Sequence, residues 1–193
     1  MPDNKYIDKI KTFIKQYKGI LLFFVAMFAA NIFWKLCVHG DENSDYVLIF
    51  NKIDVSVIYN FVSRHVAKMT YLCIHLFDKS LLLINDIRLT YPNGHSIFII
   101  WGCTGIKQMF IFLCIMLCAS GSWKNKLWFI PLGLVLCYLI NIGRISAITM
   151  IIKHHPELFK LMHLYIFKYL YYFLIFLIWV AWEEKFKNLK IFK

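Results

Sequence analysis

Cys103, Arg144 and His163 are the residues of this chain best suited to acyl-transfer chemistry, and each lies within or at the start of an apolar segment. Cys103 stands in the stretch WGCTGIKQM, between Gly102 and Thr104, directly ahead of a long apolar run. A cysteine attacks as its thiolate, and the positive end of a helix dipole favours that form. Gly102 and Gly105 leave room for a substrate backbone to approach. His163 begins the last apolar segment, where it can take the thiol proton and later return it to a leaving amine. Arg144 lies inside an apolar segment, well before its expected end at Ile152. An arginine at such depth is costly, and holding an oxyanion or orienting a substrate would account for it. Asn141 precedes it by three residues, shares its helix face, and is expected to hold the guanidinium.

Other chemistry-bearing residues have plainer readings. His154 and His155 precede Pro156 in a loop and compete with His163 for its role. Together with Cys103 these histidines offer metal-binding side chains, but no H-E-x-x-H or other metal spacing is present, so no metal and no cofactor are assigned. Lys107 and Gln108 read as snorkelling and capping residues. His95 falls in a turn and reads as solvated. Arg64, His65 and Lys68 form a wetted or head-group face, with Arg64 a candidate contact to an anionic part of a substrate. Cys114, Cys118 and Cys137 lie inside apolar runs and read as packing residues. No C-x-x-C pair occurs.

The elements that must position these residues are membrane helices. The chain has 193 residues, of which 60% are hydrophobic and 18% aromatic. A soluble domain has ~45–50% apolar residues. The net charge of +11 comes from 22 Lys and Arg against 11 Asp and Glu. In a soluble protein that balance would point to nucleic acid. Here the basic residues flank apolar runs, so anionic lipid head groups are the expected partner and nucleic acid is not.

Residues 1–18 form a basic amphipathic lead-in on the membrane surface. Spanning helices are expected over 19–38, 104–120, 127–152 and 162–182, and the first is read as an anchor rather than a cleaved signal. Residues 39–45 (HGDENSD) read as an acidic loop. Residues 55–77 read as an interfacial or partly buried amphipathic helix; as a span it would bring the count to five. In DIRLTYPNGHSIFIIW two β-rich runs flank PNGH, a strong turn signal, so a short hairpin is expected just before Cys103. The fold class is thus an all-α integral membrane protein with about four to five transmembrane helices, one interfacial helix and one short extracytoplasmic β-hairpin. Segments 1–18, 121–126 and 183–193 hold five, two and four Lys or Arg. The positive-inside rule places them in the cytoplasm, and Cys103, Arg144 and His163 toward the outer face.

At these residues the sequence resembles the exosortase/archaeosortase family, in its short single-domain bacterial form. The motifs are Cys103-Thr104-Gly105 after SIFIIWG, Asn141-Ile142-Gly143-Arg144-Ile145, and His163 at the start of the last helix. Thr104 stands where the family more often has serine. The resemblance covers residues 80–182 within a single domain of 1–193. It implies Cys103 as nucleophile, Arg144 as transition-state stabiliser and His163 as general acid and base; Thr104, Gly105 and Asn141 stand beside them as supporting residues, while Arg64 lies outside the matching stretch and stays a candidate substrate contact by residue type alone. It further implies a cysteine protease/transpeptidase of the bacterial inner membrane. Such an enzyme cuts C-terminal sorting signals from exported proteins through a thioester on Cys103 and passes them to an acceptor that the sequence does not identify. The rival readings are a membrane acyltransferase, a metal-dependent hydrolase, and a scaffold in which Cys103 and Arg144 only pack.

Overall fold

A computed structural model describes residues 3–40 and 46–187, with residues 3–16 and Lys187 as backbone only. The acidic part of the 39–45 loop, and the basic tail beyond 187, lie outside the described residues. Helix α1 (Asp3–Cys37) is continuous, so the basic lead-in and the first apolar stretch are one helix rather than a surface helix followed by a span. Gly19 does not break it. A Cβ there would lie 3.4 Å from a Glu183 carboxylate oxygen and 3.6 Å from the Trp179 ring, ordinary contact distances, so α1 is packed on these residues at Gly19.

Strands β1 (Val38–Gly40), β2 (Val47–Ile49) and β3 (Ile53–Asp54) follow as a small antiparallel sheet. It leads into α2 (Ser56–His75), whose first N–H, that of Ser56, donates to the Asp54 carboxylate at 2.8 Å. Helix α2 buries a narrow stripe that includes Tyr59, Ser63, Val66, Ala67, Thr70 and Ile74, while Arg64, His65 and Lys68 face outward. Small residues on the buried stripe let it pack closely on Ile142 and Ile145 of the later helix α4 (Trp123–Ile152).

A second antiparallel sheet holds β4 (Leu82–Ile84), β5 (Arg88–Thr90) and β6 (Ser96–Phe98), in that order. Asn85 and Asp86, both at positive φ, turn β4 into β5. Pro92, Asn93 and Gly94 turn β5 into β6, with the Gly94 N–H donating to the Tyr91 carbonyl at 3.0 Å. The Asn93 amide donates to the Lys153 carbonyl at 2.7 Å, which ties this turn to the end of α4. Lys153 also forms an ion pair with Asp78 and lies over the Tyr91 ring.

The remaining helices are α3 (Ile106–Cys118), α4, a single turn α5 (Phe159–Leu161) and α6 (Phe167–Lys187). A 3₁₀ turn (Pro156–Leu158) and a π turn (Met162–Ile166) make the last run nearly continuous. Among the described residues three stretches are long and apolar enough to cross a membrane: Tyr17–Cys37, Trp123–Ile152 and Pro156–Phe186. The chain is therefore a mostly helical membrane protein. Helix α3 is shorter than the span expected over 104–120: its 13 residues rise about 20 Å, against a hydrocarbon core of ~30 Å. Gly105, at φ +77°, stops it at one end, and Ala119, in extended backbone, stops it at the other. The buried Lys126 ammonium caps that second end, donating to the carbonyls of Leu117 (3.1 Å) and Ala119 (2.6 Å).

The Asp78 carboxylate is held well below the usual carboxylate range by the Lys153 ammonium and by the hydroxyl and N–H of Ser80. A depressed folded value means that its stabilisation is present above the unfolded pKa near 3.8 and is lost as pH falls through the lower folded value. Asp78→Asn should therefore lower thermal stability modestly at pH 7. The gap to the parent should close in acid, as read by unfolding scans across pH.

Candidate active site

Cys103 ends a 3₁₀ turn (Trp101–Cys103) between β6 and α3. It therefore lies just ahead of α3, separated from the first helical residue, Ile106, by Thr104 and Gly105. Its N–H donates to the Ile100 carbonyl at 2.9 Å. The Thr104 hydroxyl donates to the Trp101 carbonyl at 2.7 Å and accepts the Ile106 N–H at 3.4 Å, so Thr104 bridges the turn and the start of α3. Its side chain is buried in this role, one a serine hydroxyl would also fill. Gln108 makes no capping bond; its side-chain oxygen is buried without a hydrogen-bond partner among the described residues.

Asn141 is fully buried, and its amide donates to the Cys103 carbonyl at 2.8 Å. It holds the cysteine backbone, which differs from the expectation that it would hold Arg144. Gly105 explains how α4 comes so close. A Cβ on Gly105 would lie 2.9 Å from the Asn141 side chain, and its φ of +77° is itself a glycine conformation. The two sequence motifs thus meet as one built junction. Gly105→Ala should therefore combine backbone strain with overpacking and cost about 2–4 kcal/mol, read as a lower Tm of the detergent-solubilised chain.

Arg144 is 8% exposed. Its guanidinium lies 6.0 Å from the centre of the Tyr171 ring, and the Tyr171 hydroxyl is fixed by donating to the Cys137 carbonyl at 2.6 Å. No described Asp or Glu pairs with Arg144, and its Nε has no hydrogen-bond partner among the described residues. His163 sits in the π turn that breaks the regular helix between α5 and α6. Such turns re-aim a side chain at the expense of regular hydrogen bonding and recur at functional sites. Its ring stacks on Phe159, with centroids 5.3 Å apart.

Cys103, Arg144 and His163 line one cavity of about 830 Å³. Its floor is α4, through Arg144, Ile145, Ile148 and Ile152; one wall is β6 with the Cys103 turn, and the other is the 156–164 run. Asn141 lies eighteen residues beyond Trp123 on α4, about 27 Å along the helix. The site is thus about one hydrocarbon thickness from the α3–α4 turn. A short α3 suffices because the 3₁₀ turn and Gly105 complete the distance.

His154 and His155 are exposed, and neither lines the cavity; His155 contacts Glu157 instead, at 3.1 Å. Arg64 is exposed on α2 and is not brought to the cavity. Among the described residues no three His, Cys, Asp or Glu side chains gather as metal ligands. Two titratable residues of the cavity lining were not singled out from the sequence as site candidates. Lys160 is one helical step (i, i+3) before His163, a spacing that was legible. His95, read as merely solvated, is carried to the cavity only by the hairpin.

No curated protein and no solved structure matches this chain. The model of one protein family, described as transmembrane exosortase, matches residues 47–182, well over half of the sequence and all of the cavity's lining. The chain is a member of the transmembrane exosortase family.

Proposed function

We propose that the chain is a membrane cysteine protease/transpeptidase that cuts a C-terminal sorting segment from exported proteins and transfers them to an acceptor. The observation that carries this reading is the convergence of Cys103, Arg144 and His163, from three separate elements, on one cavity. A packing role for each would not require them to share a space. His163 takes the thiol proton and the Cys103 sulfur attacks the scissile carbonyl. The resulting oxyanion faces the Arg144 guanidinium, whose buried charge has no described carboxylate to answer it. The tetrahedral adduct collapses, the C–N bond breaks, and His163 returns the proton to the leaving amine. The exported protein is left as a thioester on Cys103. An acceptor nucleophile then gives its proton to His163, attacks the thioester carbonyl and releases the thiol. No cofactor takes part in these steps.

The cavity faces outward from a bacterial cytoplasmic membrane in this reading. The support is the excess of Lys and Arg in 1–18, 121–126 and 183–193. Among the described residues, Gly19 meets Glu183, and Ser120 and Gly121 meet Trp182, so the inner ends of these segments gather at the end of the bundle that α4 carries away from Cys103.

The test is to map the C-termini of exported proteins by mass spectrometry in cells with and without the chain. The expected result is a set of proteins that lose a terminal apolar segment and its basic tail only when the chain is present. Identical C-termini in both would reject the reading and leave a scaffold in its place.

A further inference from the structure

Strand β6 has one partnered edge and one open edge. It is the last strand of its sheet, since the order is β4, β5, β6. The hydrogen bonds on either side of the β5–β6 pairing fix its phase. The Tyr91 N–H donates to the His95 carbonyl at 2.9 Å, and the Ile99 N–H donates to the Ile87 carbonyl at 2.8 Å. With Leu89 opposite Ile97, the main-chain groups of residues 95, 97 and 99 therefore face β5. Those of Ser96 and Phe98 point the other way. Among the described residues, none bonds to the main-chain N–H or C=O of Ser96 or Phe98.

That open edge borders the cavity. The lining includes His95, Ser96, Ile97, Phe98 and Ile100, but no residue of β5 or β4, so the cavity lies on the side away from β5. Two residues beyond Phe98 the strand reaches Ile100, whose carbonyl accepts the Cys103 N–H. The edge thus runs without interruption into the turn that carries the thiol.

Charge narrows what fits. The lining carries His95, Arg144, Lys160 and His163 and no Asp or Glu. A segment with Lys or Arg along this stretch would be repelled at close range.

We propose that the exported protein enters as an extended segment that adds to β6 as a fourth strand. Ser96 and Phe98 supply its main-chain hydrogen bonds, and the paired stretch is free of basic residues. This rests on the peptidase reading and goes further, because it names the conformation in which the substrate is held. Strand addition gives affinity through the backbone and leaves side-chain specificity to the flanking walls. It also fixes the register of the segment, so a given peptide bond arrives at Cys103.

The test compares variants of the full chain, expressed in cells that lack the parent, by the fraction of exported protein trimmed at its C-terminus. Ser96→Pro removes the outward N–H and leaves the bonds to β5 available, because proline is tolerated at an edge when its nitrogen faces away from the partner strand. Ser96→Ala removes the hydroxyl, which accepts from Arg88 at 3.2 Å, and keeps the N–H. Trimming by Ser96→Pro should be at least ~10-fold slower than by Ser96→Ala, and Phe98→Pro should likewise be ~10-fold slower than Phe98→Ala. Cys103 alkylation by a small maleimide reports whether each variant keeps its fold. Equal trimming by the proline and alanine variants of both positions, with Cys103→Ala inactive, overturns strand addition and leaves the peptidase standing. Trimming that persists in Cys103→Ala removes the peptidase reading, and this inference with it. A variant whose alkylation rate departs from the parent's is replaced by photocrosslinking from Phe98→p-benzoylphenylalanine in the Cys103→Ala background. Capture of the exported protein within a few residues of its cut site supports the proposal, and no capture there overturns it.

Discussion

Cys103→Ala is expected to abolish trimming of exported proteins, with a loss of at least ~10³-fold, because without the sulfur no acyl-enzyme can form. Cys103→Ser should fall nearly as far, since a hydroxyl is a much weaker nucleophile at neutral pH. The stability of both variants should stay close to the parent. The side chain is only half-buried, and the Cys103 backbone is held by the Asn141 amide and the Ile100 carbonyl, which both variants keep. His163→Ala should lose a comparable factor, and the double variant should be little worse than either single one, because the pair acts as a unit. The readouts are the trimmed fraction in cells and the Tm of the purified chain. If Cys103→Ser trims at the parental rate, the thiol has no chemical role.

Arg144→Lys should reduce the rate of trimming by about 10²–10³-fold, the usual cost of losing one preorganised charge at a developing oxyanion. Charge is kept in this substitution, but the planar fork and its reach are lost. The loss should appear in kcat with little change in KM, since the contact is made to the transition state. A structural arginine would respond differently, and Arg144→Met separates the two roles. The guanidinium is buried, meets the face of Tyr171, and has no described carboxylate beside it. Replacing such a charge with an apolar chain of similar length relieves its desolvation. Arg144→Met is therefore expected to be inactive yet at least as stable as the parent by thermal unfolding. A large drop in Tm would assign Arg144 to the fold instead.

Residence in a membrane was legible in the amino-acid order alone, because apolar runs flanked by lysines leave few other places for this chain. That order also singled out Cys103, Arg144 and His163 as residue types suited to acyl transfer, and the three line one cavity. The Pro92-Asn93-Gly94 turn was legible because proline and glycine impose their own backbone geometry, whereas the Asn85–Asp86 turn was not, since those residues occupy many conformations. The sheet of β1 to β3 escaped notice because strands of two or three residues are too short to show a period.

Asn141 makes a hydrogen bond that emerges from packing between distant segments. Its place on the Arg144 face suggested a partner three residues away, but the bond it makes is to Cys103, thirty-eight residues distant. Likewise the length of α3 was decided at its ends, by the conformation of Gly105 and by the Lys126 ammonium, which an average over hydropathy does not register. Arg64 shows the converse: its residue type suited a contact to substrate, but the phase of α2 turns it away from the cavity. Residue type and spacing fix what a side chain is able to do and which helix face it is on. Which side chains share a cavity depends on how helices and strands distant in sequence pack together, and that is written in no single segment of the chain.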